Sequence, residues 1–313
     1  MSFTQEVKAE ICANDLMTCC KKAELSALIQ MCSFLTISDQ RFSLEIKTKN
    51  PTVAKRTLLL LKQLYAAETE LFKLTQAQFK KKYSYTIKVN NKVKEILEDL
   101  SLWDNEGLSY YPKAALVRKA CCGRAYLAGA FLAAGSINSP ISANYHWEIA
   151  CDEDRLARFI VRLLARYDIT AKVIQRRTQK VVYFKLSEKI GDFLRLVGAS
   201  DSLMKFEDAR IQRDYVNNIH RLDNCDIANE MKTQQTAAKQ LEDIAIVLAE
   251  YGNNNLDSKL REIAQLRIDN PEASFLELSK IYEKNNHQFI SKSGVRHRLN
   301  RISELAQKIR DKN

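Results

Sequence analysis

Apolar residues along the chain change their spacing in a regular order, and that order occurs twice. Leu25-Ser-Ala-Leu-Ile-Gln-Met-Cys-Ser33 reads as a buried helix. Arg41 to Thr48 (RFSLEIKT) alternates apolar and polar residues, the period of a half-buried strand. Pro51 to Tyr65 returns to helical spacing, Thr69 to Thr75 and Tyr83 to Val89 predict two further strands, and Asn91 to Trp103 predicts a closing helix. The series restarts at Arg124-Ala-Tyr-Leu-Ala-Gly-Ala-Phe-Leu-Ala-Ala-Gly135. Strand Asn144 to Cys151, helix Glu153 to Tyr167, strands Ala171 to Thr178 and Val181 to Leu186, and helix Glu188 to Val197 follow. The offset between the copies (127 − 25, about 102 residues) is kept roughly throughout. Each copy is an α-β-β-α-β-β-α unit.

Ala125, Gly129 and Ala133 recur every four residues, so one face of the second leading helix carries only small side chains. Such a face lets two helix backbones approach closely. The two leading helices are therefore expected to pair about a pseudo-two-fold axis. Upstream, Ser2 and Gln5 form a capping-box pattern that opens a short helix through Ile11.

After residue 200 the strands stop. Met204 to Arg210 and Ala228 to Leu248 read as helices broken around Leu222-Asp-Asn-Cys-Asp226, and Tyr251-Gly-Asn-Asn-Asn255 marks a hinge. Residues 256–313 predict three helices. The first, Ser258 to Ile268, turns Leu260, Ile263, Ala264 and Leu266 or Arg267 inward. The second opens at the capping box Ser274 to Glu277 and presents Leu276, Leu278 and Ile281. A loop, Lys284 to Ile290, leads to a third helix that opens at Ser291 and aligns Val295, Leu299, Ile302, Leu305 and Ile309. The expected fold is α+β: a duplicated α-β-β-α-β-β-α domain over 1–200 (halves about 1–110 and 111–200), a helical linker over 201–255, and an all-α domain over 256–313.

The composition of the 313 residues, 46% hydrophobic and 28% charged, is globular. No run reaches bilayer-spanning length and the N-terminus lacks signal-peptide order, so a cytoplasmic protein without membrane partners is expected. A net charge of +11 favours a polyanionic partner. The eight cysteines include no C-x-x-C pair and the four histidines are not grouped with them. Zinc-ligand spacing is thus missing, and thiols in a reducing compartment are the expected reading, with no metal and no cofactor. No glycine-rich phosphate loop occurs, and no small-molecule substrate is inferred. Asp152, Glu153 and Asp154 suit a helix start. Lys80, Lys81 and Lys82 and the equivalent Arg176, Arg177 and Lys180 are either solvated turns or phosphate contacts.

The third helix of the last domain carries chemistry of its own. Opposite its apolar stripe stand Lys292, Arg296, His297, Arg298, Asn300 and Arg301, and from Lys284 onward eight Lys or Arg face two acids. Three helices with a basic last one form a helix-turn-helix pattern, whose third helix enters the major groove of double-stranded DNA. Arg296, His297 and Asn300 are base-edge candidates; Lys292, Arg298 and Arg301 suit phosphates. Ser291 and Ser293 offer hydroxyls and helix-start amides to a phosphate. A basic three-helix bundle that binds protein is the other reading.

Leu127-Ala-Gly-Ala-Phe-Leu-Ala-Ala-Gly135 resembles a degenerate LAGLIDADG motif, and the duplicated unit resembles the monomeric LAGLIDADG homing endonucleases. In that family an acid precedes the closing glycine of each motif helix and holds metal over the scissile phosphates. The matching positions are Cys32 and Ala134, neither an acid, so the resemblance implies the fold without catalytic residues. A closer resemblance covers the whole chain. Ser291-Lys-Ser-Gly-Val-Arg-His-Arg-Leu-Asn-Arg-Ile302 is similar to the SKSGVNHRLRRI signature of the WhiA family. Asn224-Cys-Asp-Ile-Ala-Asn229 with Lys232-Thr233 is similar to that family's NCD-x-AN-x-x-KT, and Met1 to Lys8 to its usual opening.

The WhiA resemblance implies a LAGLIDADG-like domain joined to a C-terminal helix-turn-helix. It also implies a non-catalytic, nucleoid-associated DNA-binding regulator of cell division and chromosome segregation. Arg296 and Asn300 depart from the usual Asn and Arg, and Asn285-Asn-His287 resembles an insertion before the third helix. A scaffold for division or segregation proteins, and a LAGLIDADG-type endonuclease using displaced acids, are the alternatives.

Overall fold

Ser2 opens helix α1 (Phe3–Ala13) with the expected capping box, its N–H donating to Gln5 Oε1 at 3.2 Å. The computed structural model describes residues 2–38, 41–75, 83–105, 107–252 and 256–311. They form two units, residues 1–213 and 214–313. The Lys80, Lys81 and Lys82 turn lies outside the described residues.

In the first unit the repeat is present twice, element by element. The first copy is α2 (Thr18–Cys32), β1 (Ser33–Ser38), β2 (Arg41–Thr48), α3 (Pro51–Tyr65), β3 (Thr69–Thr75), β4 (Tyr83–Val89) and α4 (Val93–Asp99). A short hairpin, β5 (Trp103–Asp104) and β6 (Gly107–Leu108), leads to the second copy. That copy is α5 (Ala120–Ala134), β7 (Gly135–Ile137), β8 (Trp147–Cys151), α6 (Asp154–Ala165), β9 (Lys172–Arg176), β10 (Gln179–Phe184) and α7 (Ser187–Leu196). The expected strand from Asn144 begins only at Trp147, and the helix expected over Asn91 to Trp103 spans Val93–Asp99.

The two four-stranded sheets have equivalent orders, β1-β2-β4-β3 and β7-β8-β10-β9, with antiparallel neighbours. Period-two alternation sets their inner faces. Leu44 opposite Val89 and Ile46 opposite Ile87 are buried in the first sheet; Trp147 opposite Phe184 and Ile149 opposite Val182 are buried in the second. Trp147 and Phe184 stack with ring centroids 4.4 Å apart. Asn50 caps α3 by accepting from the Thr52 and Val53 N–H groups (2.9 and 3.3 Å), and Pro51 fills the first helical position, where its missing N–H costs nothing.

The leading helices α2 and α5 pair as their small faces predict. A Cβ on Gly129 would fall 2.4 Å from the Glu24 carbonyl oxygen and 3.0 Å from the Ala27 Cβ. Both helices are buried around most of their circumference, which explains their lack of a polar face. Ser26 and Glu24 are buried polar residues of α2; Ser26 Oγ donates to the Leu100 carbonyl at 3.0 Å, and Glu24 is ionisable. Its buried carboxylate accepts from Arg56 Nε at 2.7 Å and Nη2 at 3.2 Å.

Helix α8 (Ser200–Tyr251) contributes residues to both units and corrects the sequence reading: it is continuous through Leu222–Asp226. Asp and Asn disfavour helix interiors only mildly, and neither Gly nor Pro occurs between Ser200 and Tyr251. Thr233 and Thr236 return their hydroxyls to the Asn229 and Lys232 carbonyls (2.9 and 2.7 Å), so polar side chains are satisfied within the helix. At its start, Glu10 of α1 accepts the Asp201 and Ser202 N–H groups (2.7 and 3.0 Å).

The second unit adds α9 (Ser258–Asp269), α10 (Phe275–Asn286) and α11 (Lys292–Arg310). Ile244 and Val247 of α8 complete its core with Ile263, Leu278, Val295, Leu299 and Ile302. Leu266 and Arg267 are both buried, whereas Leu276, expected inside, is exposed. The expected Lys284 to Ile290 loop is shorter than read: Asn285 and Asn286 belong to the last turn of α10. His287 closes that helix in the left-handed conformation (φ 52°).

Candidate nucleic-acid interface

The α11 face opposite the core forms from the same periodicity that builds the core. Val295, Leu299, Ile302, Ala306 and Ile309 point inward. At roughly 100° per residue, Ser293, His297 and Asn300 then lie near the centre of the outward face, with Arg296 and Lys292 on one flank and Arg301 on the other. All six are exposed.

The helix start is built tightly. Ser291 Oγ accepts the Gly294 N–H at 3.1 Å and lies 2.9 Å from Ser293 Oγ. A Cβ on Gly294 would fall 2.9 Å from Ile290 Cγ1, so glycine lets the incoming turn close onto the first helical turn. Ser279 Oγ donates to the Ile290 carbonyl at 2.9 Å and ties this turn to α10.

The expected site residues divide by their partners. Arg301 pairs with Glu304 at 2.9 Å, both more than half exposed, an interaction that solvent screens. Arg298 differs from the rest. It is half-buried, its Nη1 donates to Tyr282 Oη at 3.2 Å, and its guanidinium lies 5.4 Å from that ring centroid. Tyr282 in turn donates to Glu262 Oε2 at 2.7 Å, so Arg298 cross-links α11 to α10 and α9. The sequence reading had assigned it to a phosphate. Ser291, likewise read as a phosphate donor, spends its oxygen on the helix cap. The structure adds a cleft that the sequence reading left unassigned, where Lys292 lines one wall with Lys232, Thr233 and the α10 start at Ser274.

In the first unit, Cys32 ends α2 and Ala134 ends α5, as the motif alignment requires. The surroundings of Cys32 include the ammonium of Lys8, whose pKa burial lowers to about 8, and burial pushes the Cys32 thiol up to about 11. Of the acidic run, Glu153 is the N-cap residue of α6 but its side chain makes no cap bond, Asp154 in the first turn pairs with Arg158, and Asp152 accepts from Gln179 Nε2 at 2.8 Å. Of the second-copy turn, Arg176 is bound to Glu148 (3.1 Å) and Lys180 to Asp154 (3.7 Å). Arg177 occupies the left-handed turn position (φ 54°).

One grouping escaped the sequence reading altogether. Cys19 and Cys20 open α2, Cys121 and Cys122 open α5, and the four sulfurs meet. The signal was present: the two Cys-Cys pairs stand at the repeat's own offset.

Taken together, the fold is a LAGLIDADG-type duplicated domain, lacking the motif acids at Cys32 and Ala134, followed by a helix-turn-helix unit. Family models match in three consecutive pieces. They are the WhiA N-terminal LAGLIDADG-like domain over residues 18–103, the WhiA LAGLIDADG-like domain over 123–216 and the WhiA C-terminal HTH domain over 219–306. The chain belongs to the WhiA family. It is 41% identical over 314 residues to the probable cell division protein WhiA of Brevibacillus brevis, covering 100% of this chain and 98% of the relative. It is 39% identical over 311 residues to the probable cell division protein WhiA of Staphylococcus aureus, covering 99% and 98%. Among solved structures, the fold resembles full-length DUF199/WhiA from Thermatoga maritima (24% identity, 98% of this chain and 99% of that one, TM-score 0.60). It also resembles the N-terminal LAGLIDADG domain of DUF199/WhiA (20% identity, 63% and 90%, TM-score 0.51).

Proposed function

We propose that this protein is a non-catalytic regulator of cell division that binds double-stranded DNA through α11. The single observation that carries this reading is the outward face of that helix. Ser293, Arg296, His297 and Asn300 are exposed, lie opposite the apolar stripe, and belong to the HTH portion of the family match. Arg296 and Asn300 have the fork and amide geometries that read guanine and adenine edges in the major groove, while Lys292 and Arg301 flank them as phosphate contacts. The naming of the Brevibacillus and Staphylococcus relatives supports the division role. Transcriptional control or nucleoid organisation, with a part in chromosome segregation, is the finer form of the proposal.

The motif ends lack the groups that catalysis needs. Phosphodiester cleavage by bound Mg²⁺ needs carboxylate oxygens there. Cys32 and Ala134 supply none, and the Lys8 ammonium beside Cys32 opposes a second cation electrostatically.

The test is duplex affinity against salt concentration for the wild type and Arg296→Ala, with Mg²⁺ present and the DNA inspected afterwards. Binding that weakens steeply with salt, a weaker variant and intact DNA are expected. Salt-insensitive or absent binding to every duplex would overturn the DNA reading and favour the scaffold alternative. Cutting that stops on chelation would establish the endonuclease.

A further inference from the structure

The pairing of α2 and α5 has a chemical consequence at the N-terminal ends of the two helices. Thr18 and Ala120 are their first residues, so Cys19-Cys20 and Cys121-Cys122 occupy the first turns. The four Sγ atoms all lie within 4.8 Å of one another, with Cys121 and Cys122 at 4.0 Å. Sulfurs around a tetrahedral zinc, each about 2.3 Å from the metal, stand about 3.8 Å apart. The four thiols are thus already close to the edges of that tetrahedron. Cys20 and Cys122 are buried and Cys19 and Cys121 half-buried, so the group has a dry side and a side open to entry.

The helix starts fit a thiolate centre. Neither helix start has a side-chain cap: Met17 and Lys119 occupy the N-cap positions and make no cap bond. The first turns of both helices therefore have no side-chain acceptor for their N–H groups, and helix N-termini favour thiolate over thiol. Arg124 lines the adjoining cavity together with Cys20 and Cys121, as do the acidic Asp15 and Glu24. The two helix N-termini moderate the net negative charge of a metal held by four thiolates.

We propose that Cys19, Cys20, Cys121 and Cys122 form a structural zinc site that clamps the N-terminal ends of the two motif helices together. Soft thiolates exclude Mg²⁺ and Ca²⁺, and four protein ligands leave no open position for chemistry. An iron–sulfur cluster needs its cysteines spread over several irons, whereas here all four sulfurs lie within 4.8 Å of one another. Binding breaks four S–H bonds and forms four Zn–S bonds. Up to four protons leave to solvent and zinc stays divalent. The site lies at the opposite helix ends from Cys32 and Ala134, so it is separate from the motif-acid positions.

The test uses the full-length protein, purified with reductant and without chelator. Elemental analysis is expected to find one zinc per chain. Replacing the zinc by Co²⁺ is expected to give the intense visible bands and thiolate charge transfer of a tetrahedral tetrathiolate. Cys19→Ser/Cys121→Ser changes the two less buried ligands, and is expected to lose stoichiometric zinc and the cobalt bands while keeping the wild-type far-ultraviolet circular dichroism. The wild-type metal content stands as a test even should that variant fail to fold. Metal-free wild-type protein that takes up no Co²⁺ into a tetrathiolate spectrum would overturn the proposal. So would mass-spectrometric detection of disulfides linking the two pairs in freshly lysed cells, or bound iron in place of zinc.

Discussion

Gly129 of α5 lies directly against the Glu24 carbonyl oxygen of α2, at a separation that no side chain fits: a Cβ there would sit 2.4 Å from that oxygen. Because the obstacle is backbone, it cannot swing aside. Gly129→Ala is expected to push the motif helices apart and destabilise the first unit by about 1–3 kcal/mol, despite alanine's better helix propensity. Urea denaturation would show a lowered midpoint. An unchanged or raised midpoint would mean the helices yield without cost.

The Glu24–Arg56 pair next to this contact is buried, with side-chain exposures of 1% and 6%. Removing one partner strands a charge in the core. Arg56→Met is expected to cost about 3–5 kcal/mol, whereas Glu24→Leu/Arg56→Met together should recover most of that loss. A double-mutant cycle on unfolding free energy measures the coupling, and additive effects would contradict it.

Lys8 gives the first unit an alkaline signature. Burial lowers its pKa to about 8 from an unfolded value near 10.5. Between those values the unfolded chain binds the proton that the folded chain has released, so this group's contribution to stability rises with pH across that window and is lost as pH falls through about 8. Unfolding midpoints of the wild type and Lys8→Met from pH 7.5 to 10 are the check. The wild type should gain on the variant by on the order of 1–3 kcal/mol. A constant difference would show that Lys8 keeps its ordinary pKa.

On α11 the prediction separates reading from gripping. Arg296→Ala and Asn300→Ala should relax base selectivity at individual positions, each by about 1–3 kcal/mol. Lys292→Ala should weaken binding to all duplexes alike and reduce the salt slope by about one unit. Arg298→Ala should instead lower the stability of the second unit, because its bond to Tyr282 Oη links the helices. Affinity measured across a panel of single-base variants, beside thermal unfolding, distinguishes the three patterns.

Local pattern was sufficient for most elements. Period two placed β2, β3 and β4 to the residue, and helical spacing placed α3 from Pro51 to Tyr65. Repetition of the pattern disclosed the duplication, and the small-residue face of α5 disclosed its pairing with another helix, because close approach leaves its mark as missing side chains. Capping signals placed the start of α10 and α11. That Lys292, Arg296, His297, Asn300 and Arg301 lie exposed opposite the apolar stripe followed from the same periodicity.

Tertiary structure decided what depends on neighbours distant in sequence. Whether Asp and Asn near 225 break α8 depends on the continuity of the whole helix, which no five-residue window reports. Arg298 looked like its neighbours until Tyr282 of another helix claimed it, and Leu276, expected inside with Leu278 and Ile281, is left exposed while Leu278 is buried. The four cysteines carried no ligand spacing along either helix. A tetrahedral centre requires only convergence in space, and that came from the packing of Gly129 against Glu24, which sets both helix starts side by side.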